Sequence, residues 1–175
     1  TTPRTEADTP HIRSGVYNGK TTGAPILIAF ENTNTRSRDY ENLKFHPRPG
    51  HADFTAMKKY RGFTDPRGGG HFSGRITLGL VAAGVVAKKI IRPMTVEAKL
   101  IEAGGSTDIQ QAVDKAMETK DSIGGIIECQ IKNVPAGLGE PFFDSVESLM
   151  SHMMFAVPAI KGIEFGSGFN AARMT

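Results

Sequence analysis

The chain has 175 residues and a mass of 18.8 kDa, the size of one ordinary domain. Hydrophobic residues at 39% permit a core, and 22% charged residues argue against wholesale disorder. Lys and Arg number 21 against 18 acidic residues, a net +3 that suits anionic ligands but does not by itself make a nucleic-acid binder. A single cysteine, Cys129, excludes an internal disulfide framework and any cysteine-cluster metal site. No metal is expected.

Residues 1–25 are polar and carry glycines at 15, 19 and 23, which reads as loop with a short strand near 14–17. Residues 25–30 are a continuous apolar run of strand length and predict a buried strand. Pro47 and Pro49 exclude helix from the polar stretch around Arg36, Arg38, Lys44, His46 and Arg48. A short helix is expected over 53–60, followed by the breaker Thr64-Asp65-Pro66-Arg67-Gly68-Gly69-Gly70. Ser73 is the predicted N-cap of a long helix over 74–91. Its apolar residues lie nearly all round, so it is expected to be buried, with Lys88 and Lys89 at its C-terminal dipole and Pro93 beyond its end.

Residues 95–103 alternate as a strand. Thr107-x-x-Gln110 predicts a capping box, opening a helix with Ile109, Ala112, Val113, Ala116 and Met117 on one stripe. A strand is expected over 122–134. Asp144-x-x-Glu147 predicts a second capping box, leading a Met-rich helix stopped by Pro158. Residues 159–165 are a last strand candidate, in which Lys161 and Glu164 read as structural. The succession points to a layered α/β or α+β domain, and the turns alone do not say whether the strands run parallel.

The longest apolar stretch, 76–87, is interrupted by Thr77 and is too short to cross a bilayer. No signal peptide or lipidation motif is visible, so the expected location is cytoplasmic, with no membrane partner. The chain starts at Thr1 and stops at Thr175 just after a glycine-rich stretch. Both ends read as cuts, and the expectation is a single domain from a longer polypeptide.

Two segments nearly match phosphate-loop patterns. Gly15-Val16-Tyr17-Asn18-Gly19-Lys20-Thr21 is one residue short of a P-loop, with no helix expected after it. Gly68-Gly69-Gly70-His71-Phe72-Ser73-Gly74 misses the dinucleotide fingerprint. The second is nevertheless a glycine turn feeding a helix N-terminus between Arg67 and Arg75, where free N–H groups and the helix dipole favour an anion. A third segment, His46-Pro47-Arg48-Pro49-Gly50-His51-Ala52-Asp53, is a stiffened loop that fixes a guanidinium and an imidazole. The bland alternative is that His51 merely sits at a helix start, satisfied by Asp53.

Four blocks, in order, carry a family resemblance. They are Ser14-Gly15-Val16-Tyr17-x-Gly19-Lys20-Thr21-Thr22-Gly23-Ala24-Pro25-Ile26, and Arg48-Pro49-Gly50-His51-Ala52-Asp53 with Lys59-Tyr60 and the triple glycine. The others are Val134-Pro135-Ala136-Gly137-Leu138-Gly139-Glu140-Pro141-Phe142-Phe143-Asp144 and Ala159-Ile160-Lys161-Gly162-Ile163-Glu164-Phe165-Gly166-Ser167-Gly168-Phe169. Together they resemble the chorismate synthase family.

The resemblance implies an α+β layered sandwich of helices and sheets, partial in this chain, assembled as a homotetramer. It implies a lyase that eliminates phosphate from 5-enolpyruvylshikimate 3-phosphate to give chorismate, in the shikimate pathway to aromatic amino acids, with reduced FMN as cofactor. By motif match, Arg48 and Arg75 would contact substrate, and His51 would be catalytic, a proton donor beside the flavin. His71, Phe72, Ser73 and Gly74 would line FMN. Arg4, in Arg-x-Glu-x-Asp, is a further candidate anion contact.

The sequence departs from the family after the glycines. Where the usual pattern is Arg-Ser-Ser-Ala-Arg-Glu-Thr, this chain has His71-Phe72-Ser73-Gly74-Arg75-Ile76-Thr77, which should weaken local anion affinity. The family's upstream Ser-His-Gly motif, with its second histidine, is outside these residues, and the chain by itself is expected to be inactive. Whether the flavin is reduced (by NADPH) on the same polypeptide or elsewhere stays open. Two rival readings are a non-catalytic anion- or nucleotide-binding module on the same scaffold and a basic nucleic-acid binder. A pI near 9.1 favours the latter, whereas 7% aromatics, no Trp and no dense basic cluster count against it.

Overall fold

The computed structural model describes residues 6–33, 40, 45–65 and 70–175. The expectations placed on Arg4, Arg36, Arg38, Lys44, Arg67, Gly68 and Gly69 lie outside the described residues. The chain divides into two compact units, Thr1–Gly84 and Val85–Thr175.

The first unit opens with strand β1 (His11–Ser14), the short strands β2 (Val16–Tyr17) and β3 (Lys20–Thr21), and β4 (Leu27–Ala29). β1 pairs antiparallel with β4, His11 facing Ala29, with a bulge between Ile12 and Ser14. β2 and β3 form a hairpin whose turn residues, Asn18 and Gly19, have φ of 47° and 73°. Positive φ at both positions is the tight hairpin turn whose twist matches its strands, and Asn-Gly is its preferred pair. The near-miss P-loop is therefore a β-hairpin.

Gly15, at φ +80°, is where β1 passes into this hairpin. A Cβ there would fall 2.7 Å from the Pro25 carbonyl oxygen and 2.8 Å from the Ile26 Cα. The Ser14 hydroxyl donates to that same Pro25 carbonyl at 2.9 Å, and the Thr22 N–H donates to the Gly15 carbonyl at 3.0 Å. Backbone packs on backbone at this point, and only glycine fits.

Helix α1 (Asp53–Lys59) follows the proline-stiffened loop, with Asp53 in its first turn and Lys58 and Lys59 in its last, each favourable to the helix dipole. A 3-10 turn, Gly70–Phe72, and another, Gly74–Ile76, lead into helix α2 (Thr77–Ile90). The long helix thus starts as a tighter turn rather than as α-helix from residue 74. The cap is as expected: Ser73 Oγ accepts from the Arg75 N–H at 3.3 Å, and the Thr77 hydroxyl ties back to the Gly74 carbonyl at 2.7 Å.

The second unit is built on β5 (Thr95–Ala103) and β6 (Gly125–Lys132), joined through α3 (Ile109–Glu118). The two strands run antiparallel from Thr95↔Lys132 to Ala103↔Gly125, which makes the chain α+β rather than parallel α/β. Ion pairs brace this ribbon: Lys99 lies directly across from Glu128 at 3.2 Å, and Lys132 reaches Glu97 diagonally at 3.1 Å. Helix α4 (Val146–Met154) completes the unit.

Both expected capping boxes are displaced by one residue. Asp108, not Thr107, caps α3 by accepting from the Gln111 N–H at 3.1 Å. Ser145, not Asp144, caps α4 by accepting from the Ser148 N–H at 3.2 Å. Asp and Ser are at least as good N-caps as the residues beside them, so local geometry selects between neighbours.

Residues 159–165 are not a strand. Ala159 has φ +70° and the Ile160 N–H turns back to the Val157 carbonyl, so the segment begins in a turn and has no paired neighbour among the described residues. The expected burial also fails in two places. Leu27 of β4 is 55% exposed and Val81 of α2 is 66% exposed, and no residue of α2 is buried. An apolar run becomes buried only where another layer lies on it, and β4 belongs to a two-stranded ribbon. Among the described residues the buried apolar side chains are Ala56 on α1, Ala103 at the end of β5 and Ala116 on α3.

Replacing Gly15 by Ala is expected to destabilise the protein by about 2 kcal/mol, through the positive φ and the overlap with residues 25–26. Gly19→Ala, whose Cβ would meet open space, should cost only about 1 kcal/mol. Chemical denaturation of the two variants checks the order.

Candidate functional site

The sequence-predicted residues fall into three small clusters, all in the first unit. The first sits at the start of α1. Arg48 binds Asp53 in the two-pronged manner of guanidinium and carboxylate, Nε to Oδ2 at 2.7 Å and Nη2 to Oδ1 at 2.9 Å. The Arg48 backbone N–H donates to Oδ2 as well, at 3.1 Å. His51 brings Nδ1 to 2.6 Å from Asp53 Oδ1. Nη2 of Arg48 lies 3.2 Å and 3.3 Å from the two imidazole nitrogens. Near-equal distances place it across the ring rather than on one lone pair.

Local sequence explains this. Gly50 takes φ +72°, and the His51 N–H closes a turn onto the Arg48 carbonyl at 3.3 Å. Asp53 opens the helix directly afterwards. The turn therefore folds side chains 48 and 51 onto the same carboxylate.

Asp53 is 16% exposed. The Arg48 side-chain hydrogen bond holds its carboxyl well below the usual carboxylate range, against the opposing effect of burial, with help from the Arg48 N–H and from the Arg48 and His51 charges. The same hydrogen bond raises the Arg48 guanidinium pKa further.

The second cluster lies at the other end of α1. Tyr60 meets the His71 ring edge-on, with centroids 5.9 Å apart, and meets Phe72 at 6.3 Å. His71 and Phe72 lie 4.1 Å apart. Lys59 sits over the Tyr60 ring at 5.6 Å. Seven helical residues rise about 10 Å, which is the separation α1 sets between the two clusters along its axis.

The third cluster holds Arg75. Its Nη2 contacts Glu6 Oε2 and, at 2.9 Å, Asp8 Oδ1. The Glu6 side chain is only 3% exposed. Ser73 and Gly74 form the turn beneath. Three of this turn's N–H groups are already occupied: Ser73 by the Gly70 carbonyl, Arg75 by Ser73 Oγ and Ile76 by the Ser73 carbonyl. These three donors of the expected anion-binding turn are thus satisfied within the chain.

The structure joins Arg48 with His51, and His71 with Phe72. It gives Arg75 to Glu6 and Asp8, and no contact among the described residues links it to Arg48 or His51. Asp53 entered the sequence reading only as the bland partner of His51, and that pairing is real. Tyr60 was only part of a motif. Glu6 and Asp8 went unassigned, because an ion pair across 67 positions leaves no local pattern.

These features define a class: an α+β chain whose first unit pairs a guanidinium–imidazole–carboxylate cluster with partly exposed aromatic rings. Such a set suits an anionic ligand next to a flat conjugated one. The sequence model described as "Chorismate synthase" matches residues 1–175. A "Chorismate synthase" of Chitinophaga pinensis is 64% identical over 175 residues, covering 99% of this chain and 53% of that protein. One of Dehalococcoides mccartyi is 44% identical over 203 residues (99% and 56%), and one of Korarchaeum cryptofilum 43% over 200 (98% and 55%). The chain belongs to the chorismate synthase family. It spans about half the length of the curated relatives it matches. No helix among the described residues is long and apolar enough to cross a membrane.

The Asp53 pairing has a pH signature. A carboxyl with a depressed folded-state pKa binds fewer protons folded than unfolded, so it stabilises the fold above the unfolded value of about 4. That support is lost as pH falls from there toward the folded pKa. Asp53→Asn should flatten the acid limb of the stability curve between about pH 5 and about pH 2.5. Denaturant titrations across that range, compared with the unsubstituted protein, provide the check.

Proposed function

We propose that, within a chain of its relatives' length, these residues form the substrate- and flavin-facing part of a chorismate synthase. The reaction is elimination of phosphate from 5-enolpyruvylshikimate 3-phosphate. A C–O bond and a C–H bond break, a C=C bond forms, and phosphate and a proton leave with no net oxidation. The observation that carries this reading is the Arg48–His51–Asp53 cluster, held on a proline-stiffened loop at the place where the family motif falls.

The substrate bears a phosphate and two carboxylates, and Arg48 is assigned to one of them, although Asp53 already takes its Nε and Nη2. Arg75 is assigned to a second anionic group. Glu6 and Asp8 hold it, so substrate must share it with them. His51 holds or releases a proton at a ring nitrogen near the reacting groups.

The residues present suit FMN. His71, Phe72 and Tyr60 offer flat, partly exposed rings for an isoalloxazine, with Ser73 and Gly74 at the adjoining turn. The chemistry a bound reduced FMN would supply there is transient electron donation with no net redox change. The layered sandwich fold, the homotetramer, the cytoplasmic location, the membership of residues 1–175 in one domain of a longer chain and the absence of nucleic-acid, membrane or metal partners belong to the same proposal.

A second reading has its own observation. Arg75 faces two carboxylates and the N–H groups of Ser73, Arg75 and Ile76 are occupied within the chain, which favours a module that keeps the scaffold without catalysis. Quenching of FMN fluorescence on titration with the family-length protein supports the flavin reading. Absence of quenching supports the other.

In anaerobic phosphate-release assays with reduced FMN, the family-length protein should turn over and residues 1–175 alone should not. His51→Ala should lower kcat about 100-fold, the usual contribution of a positioned acid or base. Arg48→Lys should raise KM about tenfold or more, because an ammonium cannot keep the two-pronged pairing with Asp53 and still present a donor to the substrate. Full activity of both variants overturns the assignment of these two residues.

A further inference from the structure

Asp53 touches neither the proposed substrate nor the proposed cofactor in the assignment above. Yet it is the most constrained side chain of the site. Its Oδ2 accepts from Arg48 Nε and from the Arg48 backbone N–H, and its Oδ1 faces both Arg48 Nη2 and His51 Nδ1. Among the described residues the polar contacts to this carboxylate come from residues 48 and 51, and the carboxylate is mostly shielded from water.

An imidazole's tautomer is set by the bond that its other nitrogen makes. With an ionised carboxylate at 2.6 Å, Nδ1 must carry the hydrogen, because a bare Nδ1 would direct its lone pair at a negative oxygen. Nε2 then becomes the nitrogen that exchanges a proton. The same carboxylate fixes the plane of the guanidinium.

We propose that Asp53 is the positioning residue of this site, selecting the Nδ1–H form of His51 and fixing the plane of the Arg48 guanidinium. This rests on the reading of His51 and Arg48 given above, and it adds a third member on which both depend.

The test uses the family-length protein with 15N-labelled histidine, His51 being identified by its loss in His51→Gln. The expected result is hydrogen on Nδ1 of neutral His51 in the unsubstituted protein, moving to Nε2 in Asp53→Asn. In the phosphate-release assay Asp53→Asn should lower kcat about 100-fold. In a His51→Ala background the same substitution should change kcat by less than twofold, because its effect passes through the imidazole.

An Nε2–H tautomer in the unsubstituted protein overturns the proposal, whether or not any variant folds. So does an Asp53→Asn protein that keeps both the Nδ1–H form and a kcat within twofold. An unsubstituted protein that binds no FMN and releases no phosphate overturns the functional reading instead, and the tautomer measurement then decides the role of Asp53 alone.

Discussion

One carboxylate organises the loop that leads into α1. Asp53 binds a guanidinium in two prongs, receives a backbone N–H and faces an imidazole, all within six residues of chain. Ionised partners at these distances outweigh the cost of partly shielding the carboxylate from water, which is why its pKa falls rather than rises. The loop gains a defined shape from an electrostatic cluster instead of from a hydrophobic core. Among the described residues of the first unit, the buried apolar side chain is Ala56 on the same helix.

The other two clusters follow a different logic. His71 and Phe72 stand where the family carries an arginine and a serine, and they join Tyr60 in a patch of rings. A cationic, hydrogen-bonding surface is thereby exchanged for a flat and weakly polar one. Stacking can replace some of the lost attraction for a conjugated ligand, but not for its phosphate. Arg75 is balanced by Glu6 and Asp8, so its field toward any further anion is reduced by its own neighbours.

The second unit shows how little a two-stranded ribbon can bury. β5 and β6 are long, well registered and laced by ion pairs, yet Ala103 and Ala116 are the apolar side chains it hides. A strand pair needs a covering layer before its apolar residues leave water. Local pairing and capping can be complete while burial is not.

The sequence by itself determined the local events. It placed α1, β5, the helical stripe of α3 and the Ser73 cap, because each depends on residues only a few positions apart. It also determined the family, through four blocks whose order no short motif could imitate, and it drew attention to positions 48 and 51. Tertiary structure decided what depends on distant neighbours. It made β5 and β6 antiparallel, withheld burial from β4 and α2, turned 159–165 away from strand geometry, and brought Glu6 and Asp8 to Arg75. Periodicity and capping are encoded in neighbouring side chains. Burial, pairing direction and long-range ion pairs arise only when separate segments meet.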